Sequence, residues 1–267
     1  MLHSVLRHVN FDIRGNQDIS DVVRSFRVQD PVIHKEIVFW NVDVVLKFLC
    51  SEKFEPLDSC ELVNLTKKTL FLVTLALARR VSEIQALSRM VGFSSQGALV
   101  SLILGFRAKN DNKCKSLPRS FLIKDLSQLV GREEEAKLCP VRALKVYLDR
   151  TNQSRGHHNK RLFVAPRDPS RPASKNAISY LIRQLIKEAH LALKPELLPI
   201  LKAKPHEVRA VATSLSFEHN MSLEDVMNMA QWRCQSVFAS HYLKEVSFEY
   251  ESCRTLSPFV AAGTVIA

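Results

Sequence analysis

Six residues scattered along this chain are of the types that phosphoryl transfer to a protein nucleophile requires. Arg80 lies in ALARRVSEIQAL, Lys109 in FRAKND, His206 and Arg209 in KPHEVRAVATSL, Trp232 in AQWRCQS and Tyr242 in FASHYLKEV. Breaking a phosphodiester without a metal needs a nucleophile, several cations around the phosphoryl oxygens, and a proton donor for the departing oxygen. A tyrosine hydroxyl, with a pKa of about 10, is a poor nucleophile at neutral pH. It becomes a useful one when arginines stabilise the charge that builds on the phosphorus. Arginine suits that task because its planar fork gives two hydrogen bonds to one phosphate and does not lose its charge. Arg80 stands out on packing grounds, since the stretch around it is apolar and a lone buried arginine costs several kcal/mol, roughly, unless paired. His206 and Arg209, three residues apart, are expected to share one face of a helix. Each residue has an ordinary reading alone: a surface arginine, a loop lysine, a structural His-Arg pair, a core tryptophan, a packing tyrosine. The order R…K…H-x-x-R…W…Y, with the last four in one carboxy-terminal stretch, is what singles the set out.

This ordered set resembles the tyrosine recombinase family, which includes phage integrases and the bacterial Xer proteins. ARRVSEIQAL resembles the family's arginine box, G-L-R-x-S-E, with Arg80 on the catalytic arginine and Ser82 and Glu83 on its S-E. PHEVRAVATSL resembles the H-x-L-R-H box, with His206 and Arg209 on its catalytic places. AQWRCQS is similar to the L-G-H box, in which some members carry tryptophan, and Tyr242 falls on the nucleophile. In wording as well as order, VFWNVDVVLKFL, FEPLDSCELVNLTKKTLFLVTLALARRVSEIQALS, FRAKN, CPVRALKVYLDRT and RPASK are most similar to the recombinase of DIRS-type retrotransposons. The resemblance covers roughly residues 35–260.

The resemblance implies a catalytic-domain fold that is mainly α with a small antiparallel β-sheet (α+β). It implies that Tyr242 attacks the scissile phosphate, that Arg80, Arg209 and Trp232 stabilise the transition state, that Lys109 protonates the leaving 5′ oxygen, and that His206 shuttles protons or holds the phosphate. The implied partners are double-stranded DNA and further copies of the chain, as a tetramer on DNA; no cofactor and no metal is implied. Three departures are visible: Ala78 stands where the motif carries glycine, Ala210 where many relatives carry a second histidine, and the tryptophan-to-tyrosine interval is one residue longer than in most bacterial members, placing His241 where their tyrosine lies. Lys113 and Lys115 rival Lys109 as the hairpin lysine, and FRAKN decides for Lys109. The competing readings are a DNA-binding remnant that no longer cleaves, and a helical protein-interaction domain whose basic charge is incidental.

Positioning such a set needs a sizeable scaffold. The chain has 267 residues, 46% of them hydrophobic, enough for one large domain. Lysine and arginine number 38 against 27 acids, a formal charge of +11 that favours an anionic partner, nucleic acid first. The six cysteines form no C-x-x-C pair and no zinc-spaced cluster, so reduced thiols are expected. No apolar run reaches membrane-spanning length, and the first residues lack the apolar core of a signal peptide. An intracellular protein is expected, nuclear if the host is eukaryotic. Residues 1–55 read as a truncated remnant of an amino-terminal helical DNA-binding arm, and 56–267 as the catalytic domain.

Within that domain, NVDVVLKFLCSE has helical spacing, PLDS breaks it and offers a capping Asp58 or Ser59, and residues 62–87 predict two buried helices bending near 78–81. ALVSLILGF and SFLI predict the two strands of a hairpin with a basic tip. CPVRALKVYLDRT predicts a helix opened by proline, RLFVAP a short strand, and SKNAISYLIRQLIKEAHLAL an amphipathic helix with a serine cap. PHEVRAVATSLSFEHN, SLEDVMNMAQW and SVFASHYLKEV predict three successive helices. The apolar tail SPFVAAGTVIA is left between docking on a neighbouring subunit and disorder.

Overall fold

A computed structural model describes residues 40–107, 119–126, 136–218, 221–230 and 264–266. One helix organises them. Helix α2 (Leu62–Leu77) is buried on nearly every side from Asn64 onward. A helix this buried is surrounded by the rest of the body, and each deeply buried leucine or phenylalanine in it contributes about 1.5–3 kcal/mol. The short helix α1 (Val42–Leu49) precedes it, started by Asn41, whose side chain accepts from the Asp43 N–H at 2.8 Å. Residues 50–61 form the break, as expected, but Asp58 and Ser59 do not cap the next helix. Its first turn begins after Glu61, which gives no side-chain cap. After a further break at 78–80 comes the single-turn helix α3 (Val81–Gln85), close to the expected bend.

The sheet follows. Strands β1 (Gly92–Ser94), β2 (Gly97–Ser101), β3 (Ser120–Lys124) and β6 (Thr264–Ile266) lie in the order β1-β2-β3-β6, every pair antiparallel. The expected hairpin is the β2–β3 pair, with Ala98 opposite Ile123 and Val100 opposite Phe121. These four side chains are buried while Leu99 between them is exposed, the alternation of a sheet with one face on the core. The first strand of the hairpin is shorter than the expected span of residues 98–106, because Leu102 already pairs with Leu87 and the chain turns beyond it. Gly97 has φ +143°, and a Cβ there would meet the Ile123 carbonyl oxygen at 2.0 Å, so this strand start admits only glycine. The tail strand β6 pairs in cis with β3, an arrangement neither tail reading contained.

Helix α4 (Pro140–Asn152) starts on its proline and packs along α2. A two-stranded hairpin, β4 (Val164–Ala165) with β5 (Asp168–Pro172), comes next. Helix α5 (Lys175–Leu193) is capped by Ser174, which accepts from the Ala177 N–H at 3.1 Å. It packs against α1, α2 and α3. Beyond a 3-10 turn (Pro195–Ile200) lie α6 (Glu207–Glu218), packed on α2, and α7 (Leu223–Ala230), packed on α6. The third expected helix, SVFASHYLKEV, lies outside the described residues.

Polar anchors fix these pieces. The neutral His190 ring bonds the Ile186 carbonyl through Nδ1 at 2.8 Å and accepts the Asn41 N–H at Nε2 at 3.0 Å, tying the start of α1 to α5. Arg155 is 7% exposed and spends all three guanidinium nitrogens: Nε and Nη2 on the Thr151 hydroxyl, Nη1 on the Arg161 carbonyl, Nη2 also on that of Leu162. That clamp presents residues 160–162 to the segment after α3, where the Leu162 N–H reaches the Leu87 carbonyl at 2.7 Å. The chain divides into compact units after Val38, and residues 40–55 belong to the second of them. The reason is packing: Trp40 meets Phe71 edge-on at 6.0 Å, and α1 buries Val45, Leu46 and Leu49 in the common core.

Candidate functional site

The break between α2 and α3 is built around an unusual backbone. Ala78 closes α2 in the left-handed conformation, φ 49° and ψ 35°, its N–H bonded to the Thr74 carbonyl at 3.0 Å. For a residue with a Cβ this costs about 1–2 kcal/mol, and glycine is the usual occupant. Ala78 is the position where the resembling motif carries glycine. The turn sends Arg79 and Arg80 across the end of α2 in opposite senses of exposure. Arg80, extended at φ −67° and ψ 149°, is the cap residue of α3. Its N–H donates to the Glu83 carboxylate at 2.9 Å, an acceptor three residues on that holds the first turn.

Arg79 is 3% exposed, whereas Arg80 is half-buried. The Arg79 guanidinium lies over the Phe121 ring of β3, 4.2 Å from its centre. Its Nε and Nη1 are buried and make no hydrogen bond among the described residues, nor does Nη1 of Arg80 or Oε1 of Glu83. Burial pushes the Arg79 pKa down to about 10; the charges of Arg209, Arg119 and Arg80 act in the same direction, and that of Glu83 opposes them. Arg80, Arg119 and Arg209 therefore each lie within electrostatic reach of Arg79, and Glu83 is the carboxylate that acts on it.

Arg209 reaches this place from α6. It is 2% exposed, and its Nη2 donates to the Ala230 carbonyl at the end of α7. His206 does not share a helix face with it. It sits in the turn before α6 and is exposed, because the helix starts at Glu207, whose carboxylate accepts from the Lys204 N–H at 3.1 Å. Of the six residues singled out by sequence, Arg80 and Arg209 both act electrostatically on Arg79, and His206 lies on the surface at the start of α6. Lys109, Trp232 and Tyr242 lie outside the described residues, as do Lys113 and Lys115.

Two further arginines, Arg79 and Arg119, were missed by sequence reasoning. The signal for Arg79 was present: the argument that an arginine is out of place in an apolar stretch applies to it more strongly than to Arg80. Arg119 carries no comparable signal, since it follows a polar turn.

The fold is similar to that of the crystal structure of XerA recombinase, with a TM-score of 0.50 at 16% sequence identity, covering 90% of this chain and 74% of that one. No protein-family model and no curated protein matches the sequence. At this identity the likeness establishes architecture: a mainly helical body with a small antiparallel sheet, in the tyrosine recombinase fold.

Proposed function

We propose that this protein cuts and rejoins double-stranded DNA through a covalent phosphotyrosine. The Tyr242 oxygen attacks the scissile phosphorus, the bond to the 5′ oxygen breaks, and Lys109 gives that oxygen its proton. A 5′ hydroxyl of a second strand then attacks the phosphotyrosine and releases the phenol. The bond energy is conserved in the intermediate, so the exchange consumes no nucleotide. Arg80, Arg209 and the Trp232 indole N–H donate to the phosphoryl oxygens as charge develops, and His206 holds the phosphate or relays a proton.

The observation that carries this reading is that Arg80 and Arg209, distant in sequence, both act electrostatically on the buried Arg79, in a chain whose fold is similar to that of a tyrosine recombinase. An electropositive group of that kind, on a tyrosine recombinase fold and in a chain of net charge +11, fits a phosphodiester. The motif wording supports an origin in a DIRS-type mobile element, with tetrameric assembly on DNA and action in a nucleus. The test is a library of duplexes nicked beside a randomised bond, so that the cleaved end diffuses away and the intermediate is trapped. A protease-sensitive, detergent-resistant protein–DNA adduct that maps to Tyr242 and is abolished in Tyr242→Phe is the expected result. Salt-sensitive binding without any adduct would leave a DNA-binding remnant, and no salt-sensitive binding would sink both.

A further inference from the structure

The loop of residues 156–161, strand β5 and Ile103 line a recess of about 440 Å³ that contains none of the six residues singled out by sequence. Loop and strand meet closely there, since a Cβ on Gly156 would lie 2.9 Å from the Ser170 carbonyl oxygen. The walls are pinned to the end of α3 and the segment that follows it. The Arg161 Nη1 donates to the Gln85 carbonyl at 2.8 Å, the Ile103 N–H to the Ala86 carbonyl at 2.8 Å, and the Arg89 N–H to the Lys160 carbonyl at 2.9 Å. The recess therefore keeps a fixed place relative to the turn that carries Arg80.

Its chemistry is one-sided. The ionisable side chains lining it are His157, His158, Lys160 and Arg161, and no carboxylate joins them among the described residues. Asn159 is the buried member, 7% exposed. Its Oδ1 accepts the Arg161 N–H at 3.1 Å, which fixes the orientation of the amide and leaves Nδ2 as a donor. That nitrogen is buried and makes no hydrogen bond among the described residues. A buried amide donor without an acceptor is costly, and one that lines a recess can be answered by a ligand. His157, His158, Lys160 and Ser170 are exposed, so the recess opens to solvent and a long molecule can lie across it. Lys160 and Arg161 repel a metal cation, and no group of three metal-ligating side chains occurs among the described residues. An acceptor that carries negative charge satisfies both the amide and the cations.

We infer that this recess holds a backbone phosphate of a bound DNA duplex, one other than the phosphate that is cut. Asn159 supplies an unspent donor, and Lys160 and Arg161 balance the charge. The inference rests on the DNA-cleavage reading for the source of the phosphate. A contact of this kind reads no sequence; it sets the orientation of the duplex against the turn that carries Arg80.

The test is duplex binding by the full chain across a salt series, with Asn159→Asp and Lys160→Gln beside the native protein. Asn159→Asp keeps an oxygen for the Arg161 N–H and replaces the unspent donor with negative charge. It is expected to bind duplex roughly tenfold or more weakly. Lys160→Gln changes an exposed side chain and is expected to melt with the native protein. Its slope of log affinity against log salt should be flatter by about 0.9, the value for one neutralised phosphate. A merely structural role for the loop would lower the melting temperature and leave that slope alone, overturning the inference. Should Asn159→Asp fail to fold, the Lys160→Gln slope decides by itself. Inorganic phosphate is the second probe. If it raises the melting temperature of the native protein but not of Asn159→Asp, while both variants bind duplex normally, the recess belongs to a small phosphate compound and the inference falls. Tyr242 adducts from a protein whose two variants bind duplex as the native chain does would remove the inference and leave recombination standing. Weakened, flatter duplex binding by the variants of a protein that forms no adduct would keep the phosphate site and remove cleavage.

Discussion

Two buried charged groups sit along the same helix and are built in opposite ways. In the middle of α2, Lys68 is fully enclosed, and its ammonium meets the Glu55 carboxylate at 2.5 Å and the Leu49 carbonyl at 2.7 Å. Glu55 also receives Arg142 from α4. Burial lowers the Lys68 pKa, and the hydrogen bond that Lys68 donates to Glu55 works against that fall. Just past the end of α2, Arg79 feels the charges of Glu83, Arg209, Arg119 and Arg80, and its Nε and Nη1 make no hydrogen bond among the described residues. The Lys68 ammonium is answered by a carboxylate and a carbonyl, whereas two buried nitrogens of Arg79 have no acceptor among the described residues. Compensated burial marks scaffold, and burial without an acceptor is a cost that a functional site can carry.

The largest test of this contrast is Glu55→Gln. It strands Lys68 and Arg142 and should cost about 3–5 kcal/mol in a denaturant titration. A loss below 1 kcal/mol would mean that Glu55 does not hold the two cations as described. At the turn after α2, Arg80→Gln should leave the denaturation midpoint almost unchanged and slow formation of the Tyr242 adduct by roughly two to three orders of magnitude. Equal losses of folding and activity would erase the distinction. His190 offers a pH-based test. Burial holds its pKa below the ordinary 6.5, with the Ile186 carbonyl pulling it back up and the charge of Lys194 adding to the fall. Its folded-state pKa lies below the unfolded one, so the unfolded chain takes up the proton first. Its stabilising contribution is complete above pH 6.5 and is lost as pH falls below that value. Urea midpoints taken downward from pH 7 should decline through that window, and His190→Gln should flatten the decline. Smallest is Ala78→Gly, which relieves the left-handed Cβ and should stabilise by about 1 kcal/mol, read as a higher melting temperature.

Helices α4 and α5 were legible from Pro140 and Ser174, because the caps are local chemistry: a missing N–H at the first turn and a hydroxyl that accepts from one. The β2–β3 hairpin was legible from its β-branched and aromatic content. Strands β1, β5 and β6 were not. Gly92–Ser94 is exposed throughout, and Asp168–Pro172 has the composition of a turn. Both are extended because a partner strand holds them, which is tertiary context that no local window contains. For the site, motif order led to Arg80 and Arg209, but which of two adjacent arginines turns inward depends on the left-handed kink at Ala78. That kink is where sequence reasoning noted a missing glycine without deriving its geometric result. The shared face expected of His206 and Arg209 failed for a smaller reason, a helix boundary one residue late.

Glu83 holds two posts at once. One oxygen steadies the first turn of α3, and the carboxylate's charge tempers the guanidinium beside it. An amide in its place, Glu83→Gln, keeps an oxygen for the Arg80 N–H and discards the charge, so the mechanical duty and the electrical one are separable by a single atom. The acid at this corner thus works as a damper on the positive charge of Arg79.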